Sequence, residues 1–261
     1  MGAAIPLLLA TFLAGDPTPT APATETAADD EAKDSAGVSP VELIPRVELR
    51  QSFARVNSDV SVHVTTAEID IGFLNRLLLR YQGPIRVVSG PDGQVSGFGD
   101  AELQAVGLLA SSPRFVAVAL AGAVFDTASQ PELGAGKTQL TFGAAAAISP
   151  VRWWLPYMIV QEQVSVAGDA ARPDVNFLVV RAGNIVFARG FSWYKLDFDG
   201  VTDFERSAGR GRLFGTFEVG SLLIGRTGLF MRGGTQLVGT RQLDYSLEVG
   251  VRYLFRLGRG K

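Results

Sequence analysis

Ionisable residues recur singly, at alternate positions, inside otherwise apolar runs of this chain: Glu102 with Gln104, Glu218, Arg232, and Glu248 with Arg252. Side chains two apart in an extended segment share a face, so each group marks a polar stripe with a greasy stripe behind it. Carboxylates and guanidiniums lining an enclosed stripe have two uses. They select the solutes that pass between them, or they pair with one another and close the space. Covalent chemistry is poorly provided for. Cysteine is absent and His63, within Ser61–Thr65, is the single histidine. Triad-type catalysis needs the imidazole beside a nucleophile and oriented by a third group, and no spacing here supplies either. His63 is therefore expected to be structural, on the polar face of a strand. No catalytic residue, cofactor or metal is assigned, and the chain is not read as an enzyme. Asp169, Arg172 and Asp174, with Asn176, form one further cluster, and two carboxylates flanking an arginine are expected to brace a loop by ion pairs rather than hold a cation.

The elements that must position these residues are long strands. From Leu243 to Phe255 the chain alternates, with Leu243, Tyr245, Leu247, Val249, Val251, Tyr253 and Phe255 on one face and Asp244, Ser246, Glu248, Gly250 and Arg252 on the other. A globular strand averages about 5–6 residues, whereas a tilted membrane-crossing strand needs roughly 9–11. Similar runs recur from Pro45 onward: 47–56, 60–71, 76–88, 99–110, 114–125, 137–148, 152–167, 174–181, 185–198, 212–223, 226–234 and 243–256. Short links at Ser111-Ser112, Ser149-Pro150, Ala182-Gly183-Asn184 and Ile224-Gly225 alternate with longer ones at 89–98, 126–136, 168–173, 199–211 and 235–242. An even number of antiparallel strands with short turns at one rim and long loops at the other gives this parity. The fold expected is all-β: an antiparallel transmembrane β-barrel of outer-membrane type with about 12 strands.

A charge on the lipid face costs about 2–4 kcal/mol at the membrane midplane. Glu102, Gln104, Glu218, Arg232, Glu248 and Arg252 are therefore candidates for the lumen, with Leu103, Leu109, Leu213, Phe217 and Val219 outside. Glu162 breaks this pattern among apolar register partners, which places it near a rim or at a register slip. Small residues Ala117, Ala119, Ala121 and Ala123 facing inward would leave room in the lumen; tight packing against large side chains from across the barrel is the equal alternative. Trp153, Trp154 and Tyr157 follow a short turn, where an interfacial aromatic belt belongs, and Trp193, Tyr194 and Phe198 are candidates for the opposite belt.

Composition sets the frame. The chain has 261 residues, a formal charge of −2, 30 Gly, 16 Phe and 19% charged residues, with a mean hydropathy of +0.20 and a pI near 5.5. Nothing points to nucleic acid, and no long apolar segment beyond the N-terminus suggests a membrane helix. Residues 1–16 read as a signal peptide lacking its leading basic residues, as if the start were truncated. Residues 17–44 read as a disordered acidic Pro/Ala/Thr linker, 45–256 as the barrel and 257–261 as a tail.

Three stretches together resemble the Gram-negative outer-membrane β-barrel family of transporters assigned to the MetA pathway of phenol degradation: Gly97–Leu103 (GFGDAEL), Phe125–Lys137 (FDTASQPELGAGK) and Ser165–Asn176 (SVAGDAARPDVN). The resemblance spans roughly Val47 to Phe255 and implies porin-like passage of small, often aromatic, solutes across the outer membrane. It transfers no binding residue. Outer-membrane lipid, the barrel-assembly machinery and a small-molecule solute are the partners expected. A structural or assembly barrel with a closed lumen is the alternative function, and an outer-membrane hydrolase a weaker one.

Overall fold

The computed structural model describes residues 37–255 apart from 58, 74–75, 189–191, 207–209 and 225; the signal-peptide reading and the 257–261 tail lie outside them, as does most of the linker. The described chain is built from strands: β1 (Arg46–Arg55), β2 (Ser61–Phe73), β3 (Leu77–Gly90), β4 (Gly93–Phe98), β5 (Ala101–Ser112), β6 (Phe115–Phe125), β7 (Lys137–Ile148), β8 (Trp154–Gly168), β9 (Asn176–Ala188), β10 (Ser192–Asp203), β11 (Gly211–Ile224), β12 (Thr227–Val238) and β13 (Tyr245–Leu254). Neighbours pair antiparallel around the sheet. β1 pairs with both β13 and β2, and β2 with β3, so the sheet closes on itself. β4 and β5 pair in succession with the two halves of β3 and count as one stave interrupted at Gly99-Asp100. The result is a closed antiparallel barrel of twelve staves. Closure removes the unpaired edge that lipid cannot hydrate.

Two connections differ from those expected. The 89–98 segment is a hairpin in which β3 and β4 run on as a ribbon, with only residues 91–92 between them. Ala182-Gly183-Asn184 is no turn, because β9 runs straight through it, paired with β8 and β10. Gly183 is there for space: it faces inward, and a Cβ would collide with the Tyr157 ring and the Asp197 carboxylate. A glycine within apolar sequence marks a close approach as readily as a turn.

Polarity is inverted relative to a soluble protein. Leu49, Leu103, Phe142, Met158, Leu196, Phe217, Met231, Leu247 and Val249 are exposed on the outer wall, while Glu48, Glu68, Asp70, Arg80, Glu218 and Arg252 are buried inside. Unpartnered apolar area all round a barrel and charges enclosed by it are stable only with hydrocarbon outside. Among the described residues no helix is long and apolar enough to cross a membrane; crossing is by strands. Phe73, Phe115, Trp153, Trp154, Tyr194 and Tyr253 ring the short-turn rim, and Phe98, Phe125 and Tyr245 the long-loop rim. Tyr194 thus shares a belt with Trp154, both lying beside Val186, and Trp193 leaves the belt altogether for the lumen.

Three further expectations are reversed. On β6 the large residues Val118, Leu120 and Val124 point inward and the alanines outward, so this wall fills the lumen instead of widening it. His63 lies on the outer wall, its ring edge-on to Phe53 with centroids 4.8 Å apart. Glu162 sits on the outer wall between Phe142 and Leu178, away from both ends of β8 and in unbroken register.

The outer band gives a direct test. Val249→Arg, mid-strand and more than half exposed, should cost about 2–4 kcal/mol. The barrel should then lose its compact, heat-modifiable migration at a distinctly lower temperature than Val249→Leu.

Candidate functional site

The lumen carries the site, and strand register builds it. Glu218, Arg232 and Glu248 stand directly opposite one another on β11, β12 and β13. Arg252 stands opposite Glu48, Arg46 opposite Asp70, and Asp70 opposite Arg80. Inward residues of adjacent staves are within side-chain reach, so each pairing becomes a contact. Arg80 holds Asp70 with two parallel bonds of 2.8 and 2.7 Å. Arg46 reaches Glu68 at 2.6 Å and Asp70 at 3.1 Å. Arg50 reaches Glu68 at 3.1 Å and Glu48 at 3.2 Å. Arg252 Nε donates to Glu48 at 2.9 Å. Arg232 binds Glu218 through Nε at 3.0 Å and lies 3.5 Å from Glu248. The indole of Trp193 closes the series, donating to Glu218 at 2.8 Å.

One ionic belt therefore runs over β10, β11, β12, β13, β1, β2 and β3. Five arginines (46, 50, 80, 232, 252) face five carboxylates (48, 68, 70, 218, 248). Like charges Glu48 and Glu68 are directly opposed across β1 and β2, and the arginines on either side make that tolerable. A second group sits on β8, β9 and β10, where Asp197 accepts from the Tyr157 hydroxyl and pairs with Lys195, while Arg181 pairs with Asp199. Gln139 and Gln163 link β7 to β8 through their amides.

Glu102 stands apart from the belt, on the wall of a small cavity with Thr66, Gln82, Pro84, Arg86, Asp100 and Val124. Gln104 is buried one step further along β5. The six candidate lumen residues thus occupy one lumen without forming one cluster. Arg46, Glu48, Arg50, Glu68, Asp70 and Arg80 were not singled out from sequence, although Arg46-Val-Glu-Leu-Arg50 alternates as plainly as the segment around Glu248.

Towards the short turns the lumen becomes apolar, lined by Leu78, Val106, Val118, Leu120, Ile159, Ile185, Trp193 and Phe230. Trp193 and Phe230 fit because Gly220 and Gly250 face them; a Cβ on either glycine would run into the ring. Residues 37–45 fold into this mouth as a strap instead of continuing the linker. Val38, Val41 and Leu43 join the apolar cluster, and the Gly37 carbonyl accepts from Arg46 at 2.7 Å and Arg252 at 3.0 Å. Their burial explains the difference from the expected disorder: three branched apolar side chains within six residues are enough to seat a short segment.

At the opposite rim the three motifs behind the family resemblance meet. The Asp100 carboxylate accepts from the backbone N–H groups of Thr127, Ala128 and Ala135. Leu133 is wholly buried, and its carbonyl accepts from Arg86 at 3.1 Å. The third motif braces the same loop, but by other partners than expected. Asp174 pairs with Lys137 at 2.8 Å, Arg172 donates to the Pro131 carbonyl, and Asp169 accepts from the Ala171 N–H. The hydrogen bond from Lys137 holds the Asp174 carboxyl below the usual aspartate range. A depressed carboxyl pKa means this contact is present through neutral pH and is lost only as pH falls through the depressed value.

Fold and lumen together define an outer-membrane-type barrel whose inner column is polar, ion-paired and closed at one end by its own chain. No protein-family model matches the sequence, and no curated protein matches it. Solved structures match in fold. An outer membrane channel from Pseudomonas putida F1 superposes with a TM-score of 0.67 at 12% identity, over 82% of this chain and 97% of that one. The NanC porin gives 0.58 at 6% identity, over 81% and 100%. The KdgM porin, solved in complex with oligogalacturonate, gives 0.52 at 8% identity, over 81% and 99%. At these identities the likeness establishes the barrel fold.

Two consequences are measurable. Arg80→Ala leaves Asp70 and Glu68 short of a partner and should cost about 3–5 kcal/mol, as for other broken buried pairs, whereas Arg80→Met with Asp70→Leu should cost clearly less; urea unfolding of the reconstituted barrel ranks the two. Asp100→Ala should leave the barrel band intact but expose residues 126–136 to protease, since three backbone N–H groups lose their acceptor.

Proposed function

We propose that this chain is an outer-membrane channel admitting small solutes through a lumen that is closed in the conformation described. The inverted polarity carries the reading: an apolar outer wall around an inward column of Glu, Arg, Lys and Asp is what a solute path through hydrocarbon requires. The fold likeness to an outer membrane channel and two porins supports it. Within that class we favour small hydrophobic or aromatic solutes, because the short-turn end of the lumen is lined by Trp193, Phe230, Tyr157 and aliphatic residues, and because the three loop motifs resemble the phenol-degradation transporters. The lumen roles of Glu102, Gln104, Glu218, Arg232, Glu248 and Arg252 belong to this proposal.

One observation favours a second reading. The ionic belt is almost fully buried, as it would be in a structural barrel with a permanently closed lumen. Liposome swelling separates the two. Vesicles carrying the refolded chain should take up small phenols and short sugars faster than empty vesicles, the phenols faster for their size. Flux equal to that of empty vesicles would leave the closed structural barrel as the reading.

A further inference from the structure

The strap shows what its own seat binds. Two guanidiniums converge on one oxygen there, Arg46 Nη1 at 2.7 Å and Arg252 Nη1 at 3.0 Å from the Gly37 carbonyl. Neither arginine is free to turn away, because Arg46 is held at its other nitrogens by Glu68 and Asp70 and Arg252 by Glu48. The two donors are thus preorganised around an acceptor. Immediately beside that oxygen the lining changes to hydrocarbon and aromatic rings. Val38, Val41 and Leu43 lie among Leu78, Val118, Ile185, Trp193 and Phe230, and the Arg252 guanidinium lies 4.7 Å from the Phe230 ring centre and 5.4 Å from that of Trp193. An oxygen acceptor at one end and an apolar body at the other is what this seat complements. A cationic head would meet two fixed guanidiniums instead.

We infer that the seat is the channel's solute site, that it takes a small apolar molecule ending in a carbonyl or carboxylate oxygen, and that strap residues 37–45 occupy it as an internal competitor. The inference rests on the channel reading and names its solute class. The strap is suited to leaving. Its packing rests on Val38, Val41 and Leu43 with Ser39 and Glu42 buried beside them, the Phe255 N–H donates to the Pro45 carbonyl, and the segment lies outside the barrel's strand pairing. Its displacement breaks no ladder of the wall.

The test uses the full chain in planar bilayers, comparing the parent with the double variant Val41→Asp, Leu43→Asp, which alters the strap alone; heat-modifiable migration confirms that both are folded. Hexanoate, hexanamide and hexylammonium serve as probes. The variant should conduct more than the parent, and hexanoate and hexanamide should each halve its current at a concentration at least about tenfold below that needed for hexylammonium. A conducting variant blocked equally by all three, or by none, overturns the solute class and leaves the channel reading standing. A variant that conducts no better than a conducting parent shows that the strap does not cover the path, and overturns the inference in the same way. Two folded but silent proteins overturn the channel reading and this inference together.

Discussion

A charge enclosed in a membrane barrel has to be neutralised by its neighbours, and this requirement governs the whole inner wall. Moving an isolated ion out of water is costly enough that buried charges survive only when paired and hydrogen-bonded. In this barrel the pairing is written into strand register. Glu218–Arg232–Glu248, Glu48–Arg252 and Arg46–Asp70–Arg80 are directly opposed residues on successive staves. A slip of one residue anywhere between β11 and β3 would turn one stave's charges into lipid and strand the partners inside. The belt therefore fixes the register of half the barrel as well as filling its middle. The apolar outer band would be served almost equally well by several registers; the ion pairs are satisfied by one.

The other half is held differently. β6 and β7 contribute Val118, Leu120, Val124, Ala145 and Ala147 to the interior, and their register has no ionic lock. Volume complementarity does the work there, with Val118, Leu120, Ala145 and Ala147 gathered in one apolar cluster with Val106, Ile159 and Ile185 of neighbouring staves and with Val38, Val41 and Leu43 of the strap. The lumen thus has a charged belt that specifies geometry and an apolar short-turn end that can accept other contents. A close-packed charged wall has little to exchange, whereas an apolar seat held by dispersion and burial accepts any body of similar volume.

Strand number, antiparallel closure and facing were legible in sequence because each rests on alternation, and the facing of Glu248, Arg252, Leu247 and Val249 needs only the period of two. What sequence could not supply has a common cause, the ambiguity of small residues. Gly183 was taken for a turn when it marks a close approach, and the alanines of β6 were placed inward when they face out, because neither face of that strand is polar. The Trp193-Tyr194 pair shows the same limit, since adjacent aromatics must lie on opposite faces and only tertiary contacts tell which one is inside. The charged belt was partly missed although its signal is present in Arg46-Val-Glu-Leu-Arg50. Those residues sit at the start of the first strand, next to a stretch whose composition reads as linker, and the strap's seat depends on contacts more than two hundred residues apart in the chain.

Where such a barrel opens follows from comparing what holds its two closures. Parting the belt means leaving several guanidiniums and carboxylates unpaired in a dry lumen, at about 3–5 kcal/mol for each broken pair. Lifting the strap exposes Val38, Val41 and Leu43, about 1.5–3 kcal/mol each when fully buried, returns the buried Ser39 and Glu42 to water and takes the Gly37 carbonyl from Arg46 and Arg252. An incoming apolar solute with its own acceptor oxygen restores both terms as the strap leaves, so the net cost is small. Nothing comparable restores the belt, because a solute brings one charge at most and the belt would lose pairs in series. On the proposed channel reading the closure that yields is therefore the strap, and the belt is the fixed wall.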